Sequence, residues 1–248
     1  MAEAHETPLA QFRIEDIVPL HIGGVDVSFT NSAAMMVAAV LVSTLLLVLA
    51  GRPAALVPGR LQSIGELAYE FIAGMVRDNC GTAGMKYFPW VFSIFMFVLF
   101  GNFLGMIPYT FTFTSHIIVT FGLAMMVFLT VTVIAFARHG FHFFAFFLPE
   151  GTPLAMAPMV VALEILSYFI RPVSLSIRLF ANMMAGHTTL AIFAGFVAPL
   201  GAYYLLPGIL PLAVDVGLIL LEILVAVLQA YVFAILTCLY LRDAIHLH

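Results

Sequence analysis

The amino-acid sequence predicts an all-α integral membrane protein with five membrane-embedded helices and one amphipathic helix. The last two helices are expected to be long, steeply tilted and paired as an antiparallel hairpin. Of the 248 residues, 63% are hydrophobic and only 9% are charged, and the mean hydropathy is +1.13. Soluble domains carry about 25% charged residues. The apolar runs are long and few, which favours helices over the alternating strands of a membrane barrel.

Charge, cysteine content and the N-terminus narrow the possible classes. The net charge of −4 is too small to suggest a nucleic-acid partner. Cys80 and Cys238 lie in different segments without a CxxC or Cys/His spacing, so neither a disulfide nor a metal role is expected. Residues 1–28 are polar and acidic, which predicts an extramembrane tail rather than a cleavable signal peptide. The membrane domain is therefore expected to cover 29–248.

Three apolar runs in the first half of the chain have the length of a membrane span. They cover about 29–50, 87–107 and 116–137, and about 20 helical residues cross a hydrocarbon core of about 30 Å. Residues 56–79 place apolar side chains at helical spacing with charged residues between them. This pattern predicts an amphipathic helix at the interface or against other helices. A short turn is expected at 111–115.

The last two apolar segments, at about 157–196 and 207–243, are too long for upright spans. At 1.5 Å per residue each would be roughly 55–60 Å long, about twice the bilayer core. The alternatives are an inclination of roughly 60° or a bend at Pro172 and near Gly217. We predict a strongly inclined antiparallel hairpin. Electron cryo-microscopy in lipid would measure this inclination, and two upright spans of about 20 residues would contradict it.

The placement of Lys and Arg predicts the orientation in the membrane. If the tail is outside, the outer side holds only Arg13. The inner loops and C-terminus then hold the basic residues Arg52, Arg60, Arg77, Lys86, Arg138 and Arg242. The N-terminus is therefore expected outside and the C-terminus in the cytoplasm. The acidic, uncleaved N-terminus favours a bacterial plasma (inner) membrane.

A polar stripe is expected along the first long helix. Glu164, Arg171 and Arg178 are seven residues apart, close to two helical turns, and so fall near one face. Ser174 and Asn182 join that face, each four residues from Arg178. An arginine keeps its proton under cellular conditions, and its charge in hydrocarbon costs about 2.5–3.5 kcal/mol. No acidic residue lies within four positions of Arg178, so its partner is expected on another chain.

A second stripe consists of Asp215, Glu222 and Gln229, again seven residues apart. In the predicted orientation Asp215 and Glu222 lie on the outer half, with His187 as a plausible neighbour of Glu222, and Gln229 lies near the middle. Glu164 lies near the cytoplasmic end of its helix. Titratable groups on both sides of a fixed arginine suggest two half-pathways for protons that do not meet.

Less specific roles also fit the charged and titratable positions. Arg171 could extend to the interface or pair with Glu164. Asp215 could be a solvated helix-end residue at the outer surface. His187 and Glu222 could be a buried pair that satisfies only itself. These alternatives stay open at the level of sequence.

Purely structural roles are also consistent with the uncharged polar positions. Asn182 and Gln229 could hydrogen-bond between helices, and Ser174 could bond back to its own helix. His139 and His142 are three residues apart, but no carboxylate or cysteine completes a metal site, so loop histidines are the better interpretation. No metal and no cofactor is predicted.

Three motifs closely resemble subunit a of the F-type ATP synthase membrane sector, which is subunit 6 in mitochondria. They read Arg171-Pro-Val-Ser-Leu-Ser-Ile-Arg178-Leu-Phe-Ala-Asn182-Met-Met-Ala-Gly186, then Leu228-Gln229-Ala-Tyr231-Val-Phe233, and, near the end of an earlier span, Asn102-Phe-Leu-Gly105-Met-Ile-Pro108. The resemblance covers roughly residues 29–243, and the first two motifs together are highly specific.

The resemblance implies a proton-translocating stator subunit beside a rotating ring of c subunits, with b-type peripheral stalk subunits, the rest of the complex and membrane lipid as partners. Two offset half-channels would protonate and deprotonate the ring carboxylates and so drive rotation and ATP synthesis, without catalysis in this chain. Arg178 matches the family's essential arginine, and Asn182 and Gln229 match the polar residues that flank it. Glu164 matches the acid of the cytoplasmic half-channel.

The same resemblance assigns His187 and Glu222 to the outer half-channel. Some members carry the acid first and the histidine second, whereas this chain carries the histidine first. The swap leaves a titratable pair intact. Ala181 stands where glycine is common, with little consequence expected.

Two other function classes are less consistent with the sequence. A self-contained ion or solute transporter usually shows inverted repeats and discontinuous helices, and the sequence contains no internal repeat. An intramembrane enzyme would need a motif such as HExxH, GxSxG or a cysteine cluster, and the sequence has none of these.

Overall fold

The computed structural model describes residues 12–19, 21–22, 25–26, 28–52, 57–107, 110–140, 143, 147, 156–203 and 205–245. Helices dominate this part of the chain: α1 Asn31–Ala50, α2 Arg60–Gly84, α3 Phe88–Gly105, α4 Ile117–His139, α5 Ala157–Tyr203 and α6 Leu205–Ile245. Within the described ranges, 5 helical segments are long and apolar enough to cross a membrane: Asn31–Ala50, Arg60–Gly105, Ile117–His139, Ala157–Val197 and Ile209–Ile245. The predicted all-α membrane fold is confirmed.

The chain before α1 forms short strands that the sequence did not indicate. Strand β1, Asp16–Val18, pairs antiparallel with β4, Phe29–Thr30. Strand β2, His21–Ile22, pairs antiparallel with β3, Val25–Asp26. Because Phe29 belongs to a strand, the first membrane helix begins at Asn31 rather than at the predicted Phe29.

Side chains at this boundary explain where α1 begins. Thr30 Oγ1 accepts a hydrogen bond from the backbone N–H of Ala33 at 3.3 Å, as an N-cap residue does. Asn31 binds the preceding segment, because its Nδ2 donates to the Arg13 carbonyl at 3.1 Å and its Oδ1 accepts from the Glu15 N–H at 3.3 Å. These bonds hold the end of the described N-terminal segment against the first turn of α1.

The segment with the amphipathic pattern is α2, which begins at Arg60 and ends at Gly84, later at both ends than the predicted 56–79. Its buried residues recur at helical spacing: Ile72, Ala73, Met75, Val76, Cys80 and Gly84. Gly81 has a φ of 64°, a conformation that glycine adopts without steric cost, and it kinks the helix. A 3₁₀ turn, Met85–Tyr87, leads into α3. Pro108, which the sequence places just after the span that α3 forms, lies outside the described residues. His142, in the connection after α4, lies outside them as well.

Helices α5 and α6 contain 47 and 41 residues. At 1.5 Å per residue α5 is about 70 Å long, more than twice the thickness of the bilayer core, and α6 is about 60 Å long, about twice that thickness. Helix α5 continues through Pro172 and past the predicted end at 196, to Tyr203. Their inclination in a membrane stays a prediction.

The described residues divide into two compact units. The first contains the chain up to Leu45, Phe97–Ile117 and Leu179–Ala230. The second contains Leu46–Met96, Ile118–Arg178 and the chain from Tyr231 onward. Each unit therefore takes parts of α1, α3, α5 and α6.

In the first unit, α3 is bound to α6 by a buried amide. Asn102 is fully buried, and its Nδ2 donates to the carbonyl oxygen of Ala226 at 3.3 Å. A second 3₁₀ turn, Phe113–Ser115, follows α3, and the ring of Phe113 packs in the space that the missing side chain of Gly101 leaves. The turn is thereby pressed against the last part of α3.

In the second unit, Arg171 of α5 pairs with Asp243 of α6. Its Nη1 lies 2.9 Å from Asp243 Oδ2, and its guanidinium lies 5.8 Å from the ring centroid of Tyr168 and 5.2 Å from that of Tyr240. The Tyr168 hydroxyl lies 2.6 Å from Thr132 Oγ1, which connects α4 to the same cluster. The partner of Arg171 is therefore Asp243 rather than Glu164.

Candidate functional site

His187 and Glu222 form the centre of the candidate site, in the first unit. Helix α5 carries His187, α6 carries Glu222, and His187 Nδ1 lies 3.2 Å from Glu222 Oε1. The two side chains are 11% and 5% exposed. The proximity expected from the sequence is therefore present, and both partners are withdrawn from the surface.

Gly186 lets the carboxylate of Glu222 come close to α5. A Cβ at position 186 would lie 2.8 Å from Glu222 Oε1, below any ordinary contact distance between these atoms. The absence of a side chain on the residue that precedes His187 therefore leaves room for the acid beside the imidazole. Helix packing in membranes commonly uses small residues at such points of close approach.

Thr112 reaches His187 from the connection between α3 and α4. Its Oγ1 lies 3.0 Å from His187 Nε2 and donates a hydrogen bond to the carbonyl oxygen of Gly105 at 3.0 Å. The imidazole is thus held between a hydroxyl group on one nitrogen and a carboxyl group on the other. Three separate parts of the chain meet at one ring.

A cavity of about 410 Å³ opens beside the pair. Its wall includes Phe12, Thr112, His187, Asp215 and Glu222. Asp215 Oδ1 is buried and accepts no hydrogen bond from the part of the chain that the structure describes, whereas the buried Glu222 Oε1 has His187 Nδ1 beside it at 3.2 Å. A buried carboxylate oxygen needs a donor, and a cavity of this size has room for water molecules that can donate to it. The cavity is chemically suited to water and to protons that travel through it.

The other residues predicted for the site lie elsewhere on the long helices. Arg178 and Ser174 are exposed on the part of α5 that belongs to the second unit, and Glu164 is half-buried there. In the first unit, Asn182 is exposed on α5 and Gln229 is buried on α6. Their roles in a proton pathway stay predictions.

Comparison with known proteins assigns the chain to a family. Residues 32–242 match the family model described as ATP synthase A chain. The chain belongs to this family. It is 57% identical over 244 residues to a protein of Paramagnetospirillum magneticum named ATP synthase subunit a, which covers 97% of this chain and 99% of the relative.

Two further relatives carry the same name. One, from Mesorhizobium japonicum, is 58% identical over 249 residues, with 99% of each chain covered. The other, from Rhodospirillum rubrum, is 52% identical over 242 residues, which covers 98% of this chain and 99% of the relative. The similarity thus extends over nearly the whole chain, and the family resemblance of its motifs is confirmed.

Thr112 is the site residue that the sequence did not single out. The sequence predicts only a short turn at 111–115, because a threonine between two spans carries no recognisable motif. The signal that could have found it is composition, since the connection is rich in hydroxyl groups: Thr110, Thr112, Thr114 and Ser115. Which hydroxyl meets the imidazole depends on how the turn packs against Gly101 and Gly105, and that is a property of the fold.

Two glycine substitutions on α5 test the close approach of Glu222. Nothing lies within 4 Å of the position that a Cβ on Gly195 would occupy, so G195A should stabilise the helix by up to about 1 kcal/mol or be neutral. G186A must displace the Glu222 carboxylate, which is the end of a flexible side chain, and should therefore stabilise the helix less than G195A does. Unfolding of the detergent-solubilised chain, titrated with SDS and followed by circular dichroism, measures both. Equal stabilisation by the two variants would contradict the packing.

Proposed function

We propose that this chain is the proton-translocating stator subunit of a bacterial ATP synthase membrane sector. The observation that carries the proposal is the buried His187–Glu222 pair, which lines a cavity together with Asp215 inside a chain of this family. The proposed partners are a ring of c subunits, b-type peripheral stalk subunits and the rest of the ATP synthase complex. The chain itself catalyses no covalent reaction, because its work is to move protons to and from a partner.

The outer half-pathway runs through the cavity in the first unit. With the N-terminus outside, as the distribution of basic residues favours, this part of α5 and α6 faces the outer half of the membrane. Asp215, His187 and Glu222 line the cavity, so a proton that enters it meets acceptors that can bind and release it. From Glu222 the proton passes to a carboxylate of the ring.

Arg178 separates the two half-pathways. Its guanidinium keeps its proton and accepts no hydrogen bond, so it can act neither as an acid nor as a base for a passing proton. Its side chain is exposed on α5, where a ring carboxylate can approach it. The cation stabilises the deprotonated carboxylate, and Asn182, exposed one turn further along, offers it an amide.

Protons leave on the cytoplasmic side after the ring has turned. Glu164 is half-buried on α5, roughly four helical turns before Arg178, and is the proposed acid of this inner half-pathway. A membrane potential of 100 mV contributes about 2.3 kcal/mol for each charge that crosses. Because the half-pathways do not meet, that energy reaches the complex only through rotation of the ring.

Replacement of Arg178 tests the proposal. R178A should abolish ATP-driven proton pumping and proton-driven ATP synthesis in membrane vesicles that contain the whole complex, because the fixed charge between the half-pathways is lost. R138A, which removes an exposed arginine from the last turn of α4, is the matched control and should pump normally. Normal ATP-driven proton pumping and ATP synthesis in R178A would contradict the proposal. Proton conduction by the purified chain alone would favour a self-contained transporter.

A further inference from the structure

The hydroxyl group of Thr112 contacts both the end of α3 and the ring of His187. Thr112 Oγ1 lies 3.0 Å from the Gly105 carbonyl oxygen and 3.0 Å from His187 Nε2. A carbonyl oxygen can only accept, and a hydroxyl group has a single hydrogen to donate. Both contacts are hydrogen bonds only if Thr112 donates to Gly105 and accepts from an Nε2–H group of His187.

The position of the Thr112 hydroxyl is fixed by the end of α3. Gly105 is the last residue of that helix, and the last carbonyl oxygens of a helix need partners from outside its own ladder of hydrogen bonds. A Cβ on Gly105 would lie 2.7 Å from the Thr112 side chain, so the absence of a side chain there lets Thr112 pack against the helix end. The donor that the carbonyl needs is therefore the hydroxyl group that faces His187.

A proton on Nε2 determines which form of the other ring nitrogen, Nδ1, faces Glu222. A neutral His187 with a proton on Nε2 turns the lone pair of Nδ1 towards Glu222 Oε1, 3.2 Å away. A lone pair and a carboxylate oxygen repel each other at this distance, so the contact is favourable only with one proton between them. That proton belongs either to the carboxyl group or to Nδ1, and no other bond has to change when it moves.

We propose that Thr112 is a positioning residue that fixes the tautomer of His187, so that His187 and Glu222 together hold one exchangeable proton between Nδ1 and Oε1. The inference rests on the proposed function, in which this pair lies on the outer proton path. Among the described residues, Asp215 lines the same cavity, and His116, in the connection that carries Thr112, stacks its ring on Phe111 at 5.1 Å.

Proton-driven ATP synthesis in vesicles with the whole complex tests the inference through its pH profile. T112V keeps the shape of the side chain but removes the acceptor for Nε2–H, which matters most when both ring nitrogens carry protons. At a fixed membrane potential, the outer pH of half-maximal rate should fall by about one unit, a tenfold loss of proton affinity. T112S keeps the hydroxyl group and should restore the profile.

T110V provides a matched control in the same connection. Thr110 lines the same cavity, and its Oγ1 lies 2.5 Å from the Leu104 carbonyl oxygen and 2.7 Å from that of Ile107. This variant therefore also removes a hydroxyl group from the cavity wall, but one without a hydrogen bond to His187. Its pH profile should keep the wild-type midpoint. A shift in T110V equal to that in T112V, or a loss of activity that T112S does not repair, would mean that Thr112 only supports the fold.

Nitrogen NMR of the histidine side chains gives a readout that does not depend on transport. In the full chain labelled with ¹⁵N-histidine, the signal of His187, identified by its loss in H187Q, should report a proton on Nε2 in neutral imidazole. T112S should keep this tautomer and T112V should lose the preference. A proton on Nδ1 in the neutral wild-type ring would overturn the inference even if T112V failed to assemble.

Replacement of His187 distinguishes a failure of this inference from a failure of the proposed function on which it rests. If H187Q stops transport while T112V leaves both tautomer and pH profile unchanged, the role of Thr112 is wrong and the proposed path stands. If H187Q leaves transport and its pH profile unchanged, the proposed path through the cavity is wrong, whatever tautomer the spectra report.

Discussion

Hydrocarbon offers no hydrogen bonds, and this constraint governs where the polar groups of the chain lie. A polar group within a span must find its partner in the protein or in water that the protein admits. The buried amide of Asn102 binds a carbonyl of α6, the last carbonyl of α3 binds the Thr112 hydroxyl, and Arg171 binds Asp243. Asp215 and Glu222 differ from these groups because their side chains face a cavity, and Asp215 Oδ1 has no donor among the described residues.

Sequence reasoning succeeded where the signal is long and chemically simple. Apolar runs of about 20 residues predict spans because a bilayer has a fixed thickness, and the five apolar segments follow from that alone. The ends of the helices differ from the prediction where local hydrogen bonds determine them. Helix α1 begins at Asn31, later than the hydropathy suggests, because Thr30 is its N-cap and the strand before it includes Phe29. His187 and Glu222 were predictable neighbours because orientation and helical rise set their depths.

Other contacts depend on three-dimensional packing that no local pattern encodes. Arg171 has an acid seven residues away in Glu164, yet its partner is Asp243, 72 residues later in the chain. Thr112 meets His187 across 75 residues, because Phe113 and Gly101 press the turn onto the end of α3. Hydroxyl groups are common in turns, so only the folded arrangement distinguishes one that contacts a titratable ring from one that caps a helix.

The central claim is that protons pass through the buried pair in the outer cavity. Passive proton conductance of vesicles that carry the membrane sector without its catalytic sector tests it most directly, because no ATP chemistry intervenes. E222Q keeps the shape of the side chain and removes its proton-binding group, so we expect a conductance at least about tenfold lower than wild type. E66Q, at an exposed glutamate of α2, should conduct normally. Wild-type conductance in E222Q would contradict the claim.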